Sequence, residues 1–225
     1  MLYLVATPIG NLDDITLRAI TILRSVDFIL AEDTRVTRIL LDKYNIKKQM
    51  LVYHEHSDDK KIEEILNLLR EGRSLALVSD AGTPGICDPG NYLVMKVLEE
   101  IPEVKISAIP GANAAITALS MSGFPTSSFL FLGFPPHKKG RQTFFKKIPE
   151  IEGTIVFYES KHRILKALME LETISNLGYR EIMVARELTK QFETVYRGRI
   201  DEVMAKMKTH KENLLGEFVV VIGPR

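Results

Sequence analysis

Short apolar runs alternate with helix-periodic segments through the first half of this 225-residue chain, and that alternation restricts the fold more than any single motif does. Leu2–Ala6, Phe28–Ala31, Met50–Tyr53, Ser74–Val78 and Lys105–Ile109 have the length and apolar character of buried strands. Between them, Thr16–Arg24, Val36–Tyr44, Asp59–Arg70 and Tyr92–Glu100 carry apolar residues at helical spacing. Ile15, Ala19, Ile22 and Leu23 mark the inward face of the first helix, with Asp13 or Asp14 as its cap. Ile39, Leu40 and Tyr44 mark that of the second, and Gly72 ends the third. Strand and helix repeating at this interval predict a parallel-rich α/β sheet.

Ala112–Ser122 follows as a helix of small residues closed by Gly123. Its Ala112, Ala114, Ala115, Ala118 and Ser120 let it approach a neighbour or a ligand closely. Beyond it the pattern changes. Strands at Phe129–Gly133, Thr154–Tyr158, Ile182–Ala185 and Glu217–Ile222 are separated by Gly/Pro turns and by helices near 141–147, 163–172 and 200–209. Strands 129–133 and 154–158 admit either direction of pairing. The fold class expected is α/β with two α/β domains, residues 1–115 and 116–225, and the boundary falls near 112–124.

Composition narrows the setting. With 45% hydrophobic and 26% charged residues the chain has the make-up of an ordinary globular protein, and no apolar run approaches the roughly 20 residues needed to span a bilayer. The first residues lack a basic leader or cleavage site, which argues for a cytoplasmic protein. One cysteine, Cys87, excludes an internal disulfide, and no Cys/His spacing accompanies it to suggest a metal. A formal net charge of only +1 means that a nucleic-acid partner has to be held by a local basic patch.

Open α/β sheets bind ligands at the carboxyl ends of their strands. Four segments at such ends are polar or rich in Gly and Pro: Thr7-Pro-Ile-Gly10, Glu32-Asp-Thr-Arg35, His54-Glu-His56, and the loop inside Leu77-Val-Ser-Asp-Ala-Gly-Thr-Pro-Gly-Ile-Cys-Asp-Pro-Gly90. Gly85 and Gly90 have P-loop spacing, but Asn91-Tyr92 stands where Lys-Ser/Thr is required, and no Gly-x-Gly-x-x-Gly follows any strand. Gly82 and Gly85 still permit close backbone approach, and Asp80 attracts a cationic group or accepts from a ribose. That profile suits a compact, positively charged adenosine compound better than a triphosphate. Glu32, Asp33, His54, Glu55 and His56 also admit a metal reading, with His54 and His56 on the same side of a strand, beside a role in substrate contact or proton transfer and beside plain solvated loops.

In the second half, Gly133–Arg141, Tyr158–Arg163 and Arg186–Lys190 sit at strand ends. They gather His137, Lys138, Lys139, Arg141, Lys161, His162, Arg163, Arg186 and Lys190, with Lys146, Lys147, Phe134, Phe144 and Phe145 nearby. This is either a lysine-rich solvated surface or a patch for an anionic partner.

The blocks VATPIGNLDDITLRAI, AEDTR, HEH, LVSDAGTPGICDPG, IPGANAAITALSMSG, GFPPHKKGR, FYESKHRI, ARELTKQFE and GEFVVVI occur in this order between residues 2 and 222. Together they resemble the ribosomal RNA small subunit methyltransferase I family (16S rRNA cytidine 2′-O-methyltransferases) of the tetrapyrrole-methylase-like superfamily. The resemblance implies two α/β domains with a cofactor cleft between them, S-adenosylmethionine as methyl donor, and a homodimer. It also implies methylation of a cytidine 2′-hydroxyl in the decoding region of 16S rRNA within the small ribosomal subunit, with neither DNA nor a membrane as partner. Carried over by motif, Asp80, Ala81 and Gly82 lie nearest the donor, Pro8, Asn113 and Ala114 line its pocket, and Tyr158 with Arg186-Glu187-Leu188 closes it. Glu32, Asp33, His56 and Glu187 are then the candidate bases, and Arg35, Lys138, Lys139, Arg141, Lys161, Arg163 and Lys190 the candidate RNA contacts. The chain departs from the family pattern at Ala112-Asn113, where Pro-Cys or Pro-Ser is frequent, in a slightly short basic loop, and in stopping at Arg225 where many relatives continue. A methylase of a small tetrapyrrole-like substrate and a non-catalytic adenosine-compound or RNA-binding module are the competing readings. The EDTR, HEH and ESKHR blocks count against the former.

Overall fold

The first five strands are short and apolar because both faces of their sheet are covered. In the computed structural model, which describes residues 1–54, 57–174, 177 and 179–225, the chain forms two compact units, Met1–Asn113 and Ala114–Arg225. In the first, β1 (Leu2–Val5), α1 (Leu17–Ser25), β2 (Phe28–Ala31), α2 (Thr34–Lys43), β3 (Gln49–Val52), α3 (Asp59–Arg70), β4 (Leu75–Val78), α4 (Gly90–Glu100) and β5 (Ile106–Ile109) follow one another. The strands pair in the order β3-β2-β4-β1-β5, every pair parallel. Central β4 is buried at all four residues, as a strand covered on both faces must be. Ala76 and Val78 face a core with Ala19, Leu23, Ile29 and Leu41 of α1, β2 and α2. Leu75 and Leu77 face another with Leu30, Ile65, Leu66, Leu93 and Val97, to which α3 and α4 contribute.

Three local expectations are corrected. The cap of α1 is Thr16, whose hydroxyl accepts from Ala19 N at 3.1 Å. Asp13 and Asp14 belong instead to a separate 3₁₀ turn, Leu12–Asp14, capped by Asn11. In α2 the inward stripe runs through Thr37, Leu40, Leu41 and Tyr44, the i, i+3, i+4, i+7 series, so Ile39 falls off it and is 62% exposed. Because β3 stops at Val52, His54 lies beyond the strand; Glu55 and His56 lie outside the described residues.

The second unit holds α5 (Ala114–Ser122), β6 (Phe129–Phe131), α6 (Arg141–Lys147), β7 (Thr154–Ser160), α7 (Ile164–Glu172), β8 (Ile182–Arg186), β9 (Thr194–Gly198), α8 (Ile200–Lys208) and β10 (Glu217–Ile222). Its sheet runs β6-β7-β10-β8-β9. The open question of direction resolves as parallel for β6 and β7, and the remaining pairs are antiparallel. Edge strand β9 has no counterpart among the expected elements. Phe145, Phe157, Leu168, Ile182, Val184, Tyr196, Met207 and Val220 pack in one core beneath this sheet. Since β7 and β8 both run opposite to β10, their carboxyl ends, that of β6 and the start of β10 share one edge. Among the described residues no helix is long and apolar enough to cross a membrane.

Candidate functional site

The carboxyl ends of the parallel strands are laced together by the loops that leave them. After β1, Thr7 pairs with Gly82 beyond β4: Thr7 N donates to Gly82 O (2.9 Å) and Gly82 N to Thr7 O (3.1 Å). The buried Thr7 hydroxyl also donates to Ser79 O at 3.0 Å. After β5, Gly111 stacks on Ala6 so closely that a Cβ there would lie 2.9 Å from Ala6 Cβ. Thr83 Oγ1 donates to Ala112 O at 3.2 Å, and Asp33 N, after β2, donates to Asp80 Oδ1 at 3.0 Å. Asp80 thus joins two loops while its side chain stays at the surface. Burial, and then the Asp33 charge, raise its pKa above the ordinary carboxylate value.

The long loop after β4 is shaped by a staple. Asp88 Oδ1 accepts from Gly85 N (2.7 Å) and Gly90 N (2.8 Å), while Gly82 and Gly85 take left-handed backbone near φ +85° that costs glycine nothing. A small concavity of about 40 Å³ opens beside it, lined by Thr7, Pro8, Ser79, Asp80, Leu12, Val36, Thr37 and Leu40. Asp80 contributes a carboxylate to its wall.

The residues expected to move protons differ in what they are already doing. Asp33 caps α2, accepting from Arg35 N (2.8 Å), and the same guanidinium grips it twice: Nε on Oδ1 at 3.0 Å and Nη2 on Oδ2 at 2.6 Å. These bonds hold its pKa at about 2, far below the range of a useful base near neutral pH. Arg35 itself is 89% exposed along its side chain. Glu32 is half-buried beside it, and His56 lies outside the described residues. Among the described residues no group of three or more His, Cys, Asp or Glu is disposed to hold a metal ion.

At the loop edge of the second unit, Tyr158 accepts from Ala115 N in the first turn of α5 (3.1 Å) and packs its ring against Phe131 and Phe134 at 5.1 and 5.2 Å. Arg186 is 7% exposed, and its guanidinium is directed at the main chain: Nε donates to Leu215 O (2.7 Å) and Nη1 to Phe192 O (3.0 Å). Glu187 (φ 51°) and Thr189 (φ 65°) both stand in left-handed backbone, which is costly for a β-branched residue and found where a loop is over-determined by its surroundings. Glu187 Oε1 accepts from Lys190 Nζ (2.9 Å) and Glu217 N (3.0 Å). Burial pushes its pKa up, but those two bonds outweigh it and the net direction is down. Lys190 is shared between Glu187 and Glu217, both at 2.9 Å.

The expected RNA contacts divide in two. Lys138, Lys139 and Lys161 are exposed. Arg141 is corrected: it is 3% exposed, and its charge is spent on Glu159 and Glu170. Arg163 is half-buried and pairs with Glu159 at 3.0 Å. Of the expected pocket residues, Pro8 and Gly82 are buried, Ala81 is exposed, and Asn113 and Ala114 are half-buried at the end of one unit and the start of the next. The sequence reading passed over Glu159, though Ile155, Phe157 and Glu159 share one strand face in β7, a series that points to a buried, paired carboxylate.

A profile of the tetrapyrrole (corrin/porphyrin) methylases matches residues 1–204. Ribosomal RNA small subunit methyltransferase I of Thermotoga maritima is 47% identical over 222 residues, covering 99% of this chain and 97% of that protein. Its namesake from Halalkalibacterium halodurans is 44% identical over 98% of this chain and 75% of its own length. Among solved structures, the methyltransferase CobJ superposes with a TM-score of 0.70 at 20% identity, covering 99% of this chain and 93% of that one. Uroporphyrin-III C-methyltransferase from Thermus thermophilus, complexed with S-adenosylhomocysteine, gives 0.65 at 18% identity, covering 99% and 96%. At such identity the structural likeness is one of fold.

Proposed function

The chain belongs to the ribosomal RNA small subunit methyltransferase I family of the tetrapyrrole methylases, and we propose that it carries the methyl group of S-adenosylmethionine to the 2′-hydroxyl of a cytidine in the decoding region of 16S rRNA. The observation that carries this reading is the 47% identity that runs through nearly the whole of both chains. The same reading has a cytoplasmic homodimer acting on the small ribosomal subunit.

The rim of the first unit suits the donor. Gly111 against Ala6, with Gly82 and Gly85 in left-handed backbone, lets main chain approach a ligand where side chains would intrude. Asp80 beside the small concavity supplies negative charge for a cationic group. S-adenosylmethionine, when bound, supplies an electrophilic methyl on a positively charged sulfur. The residues proposed to hold it are Pro8, Asp80, Ala81, Gly82, Asn113, Ala114, Tyr158 and Arg186.

A ribose hydroxyl must lose its proton as its oxygen takes the methyl, and an oriented acceptor lowers that barrier. Asp33 and Glu187 suit that role poorly, because their oxygens are engaged and their pKa values lowered; Glu32 and His56 stay as the proposed candidates by their place in the sequence. Arg35, Lys138, Lys139 and Lys161 carry exposed charge toward phosphates. The test is methyl transfer from radiolabelled S-adenosylmethionine to small subunits taken from a strain lacking the modification, with Asp80→Ala protein as control. Label in 16S rRNA that depends on Asp80 upholds the reading. Donor binding without RNA label points to a small-molecule methylase, and no donor binding overturns the pocket.

A further inference from the structure

The exposed cations between β6 and α6 stand on a turn that begins with two prolines. Pro135 and Pro136 bring no backbone N–H to it, and their carbonyls are caught from elsewhere. Arg163 Nη1 donates to Pro135 O at 2.9 Å, and Arg141 Nη1 to Pro136 O at 3.3 Å. Both arginines converge on one carboxylate, that of Glu159, which is 1% exposed. Its Oε1 lies 3.0 Å from Arg163 Nε and accepts from Ser160 N at 2.8 Å; its Oε2 accepts from Arg141 Nη1 at 3.3 Å. Arg141 Nε also donates to Glu170 Oε2 at 2.8 Å, and its guanidinium lies 5.0 Å from the Phe145 ring, while its Nη2 is buried without a hydrogen-bond partner. Two cations and two carboxylates balance, so these arginines have no charge left for a phosphate. The residues they brace, His137, Lys138 and Lys139, are all exposed.

We propose that Glu159 is a positioning residue for substrate binding: its buried carboxylate fixes Arg141 and Arg163, these fix the Pro135-Pro136 turn, and the turn presents Lys138 and Lys139 in one orientation to an RNA backbone. The partner rests on the functional reading above; the clamp does not. Cations held in place before binding lose less freedom on binding, and a carboxylate removed from water is tolerated only when such partners surround it.

Glu159→Gln keeps the shape and removes the charge. In hydrogen exchange on the free full-length protein, the amides of Arg141 and Phe144, which donate to Lys138 O (3.3 Å) and Gly140 O (2.9 Å) and so close the loop, exchange at least about ten-fold faster in Glu159→Gln, with those of β1 and β4 unchanged. Unchanged loop exchange overturns the clamp. In methylation of small subunits, Glu159→Gln raises KM for the subunit about ten-fold, leaves kcat within about three-fold, and leaves the Kd for S-adenosylmethionine as it was. Lys138→Gln/Lys139→Gln raises KM alike, and adding Glu159→Gln to that pair raises it no further. A wild-type KM in Glu159→Gln, or full additivity with the lysine pair, overturns the positioning role. If the wild-type protein shows no affinity for small subunits, the RNA reading fails, while the exchange result still decides the clamp. Should Glu159→Gln not fold, Arg163→Gln, which releases Pro135 O and removes one of the two cations on Glu159, takes its place with the same expectations.

Discussion

Replacing Gly90 by Ala sets two physical arguments against each other with opposite signs. Gly90 opens α4, and it is not among the residues with positive φ. Helix propensity alone therefore makes Gly90→Ala stabilising by up to about 1 kcal/mol. The surroundings say otherwise. A Cβ at this position would lie 2.9 Å from Asp88 Oδ1, 2.9 Å from Gly85 N and 3.0 Å from Leu77 Cδ2. Asp88 Oδ1 is the atom that staples the loop, and its partner oxygen is buried without a hydrogen-bond partner, so displacing the carboxylate loses bonds that nothing nearby replaces. One charge-assisted bond is worth about 1.5–3 kcal/mol, and a modest overpacking adds about 1 kcal/mol. Less the propensity gain, the change destabilises the first unit by about 1.5–3 kcal/mol. Urea unfolding followed by circular dichroism reads this as a lower midpoint at unchanged slope, and calorimetric titration with S-adenosylmethionine reads a donor affinity at least about ten-fold weaker. A variant as stable as the wild type, with unchanged donor affinity, refutes the staple as the device that shapes the donor loop.

Three further outcomes follow from the geometry. Asp33→Asn, which still caps α2, leaves kcat within about ten-fold, whereas loss of a true general base lowers it by about 10²–10⁴; a steady-state drop of the larger size contradicts the assignment of Asp33 as a structural anion. Tyr158→Phe removes the hydroxyl that accepts from Ala115 N but keeps the ring contacts, and costs about 1 kcal/mol in urea unfolding; a cost near zero means this bond does not stabilise the start of α5. Acidification separates Asp80 from Asp33. Because its folded pKa is raised, Asp80 protonates above the ordinary carboxylate value, so folding of the first unit gains stability from this group as pH falls through that window, while affinity for the cationic donor falls. Asp33, near 2, stays ionised throughout. Donor affinity titrated by calorimetry loses this acid limb in Asp80→Asn; an identical limb in both proteins rules Asp80 out as its origin.

The parallel sheet was legible because its strands are buried on both faces and its helices carry an inward stripe, patterns that survive without knowledge of contacts. The rim loops were legible for a related reason: Gly82, Gly85 and the prolines mark places where main chain must turn or come close. The fate of charge was not. Arg141 reads as a surface cation because sequence records its charge but not its burial, and its partners Glu159 and Glu170 stand 18 and 29 residues away. Lys190 is half neutralised by Glu217, 27 residues on. Asp33 is the instructive exception, since its captor Arg35 is only two residues away, and an Asp-x-Arg at a helix start already hints that the carboxylate is a cap rather than a base. Strand β9 was missed because Thr194–Gly198 is a short edge strand with only Tyr196 buried.

The identity of the nucleoside that receives the methyl group tests the central claim most directly. Small subunits lacking the modification are incubated with the protein and isotopically labelled S-adenosylmethionine, and the 16S rRNA is digested to nucleosides and resolved by mass spectrometry. The account requires the label on 2′-O-methylcytidine, with one decoding-region position protected from alkaline cleavage. A methyl on a base, on another nucleoside, or on no RNA at all contradicts it.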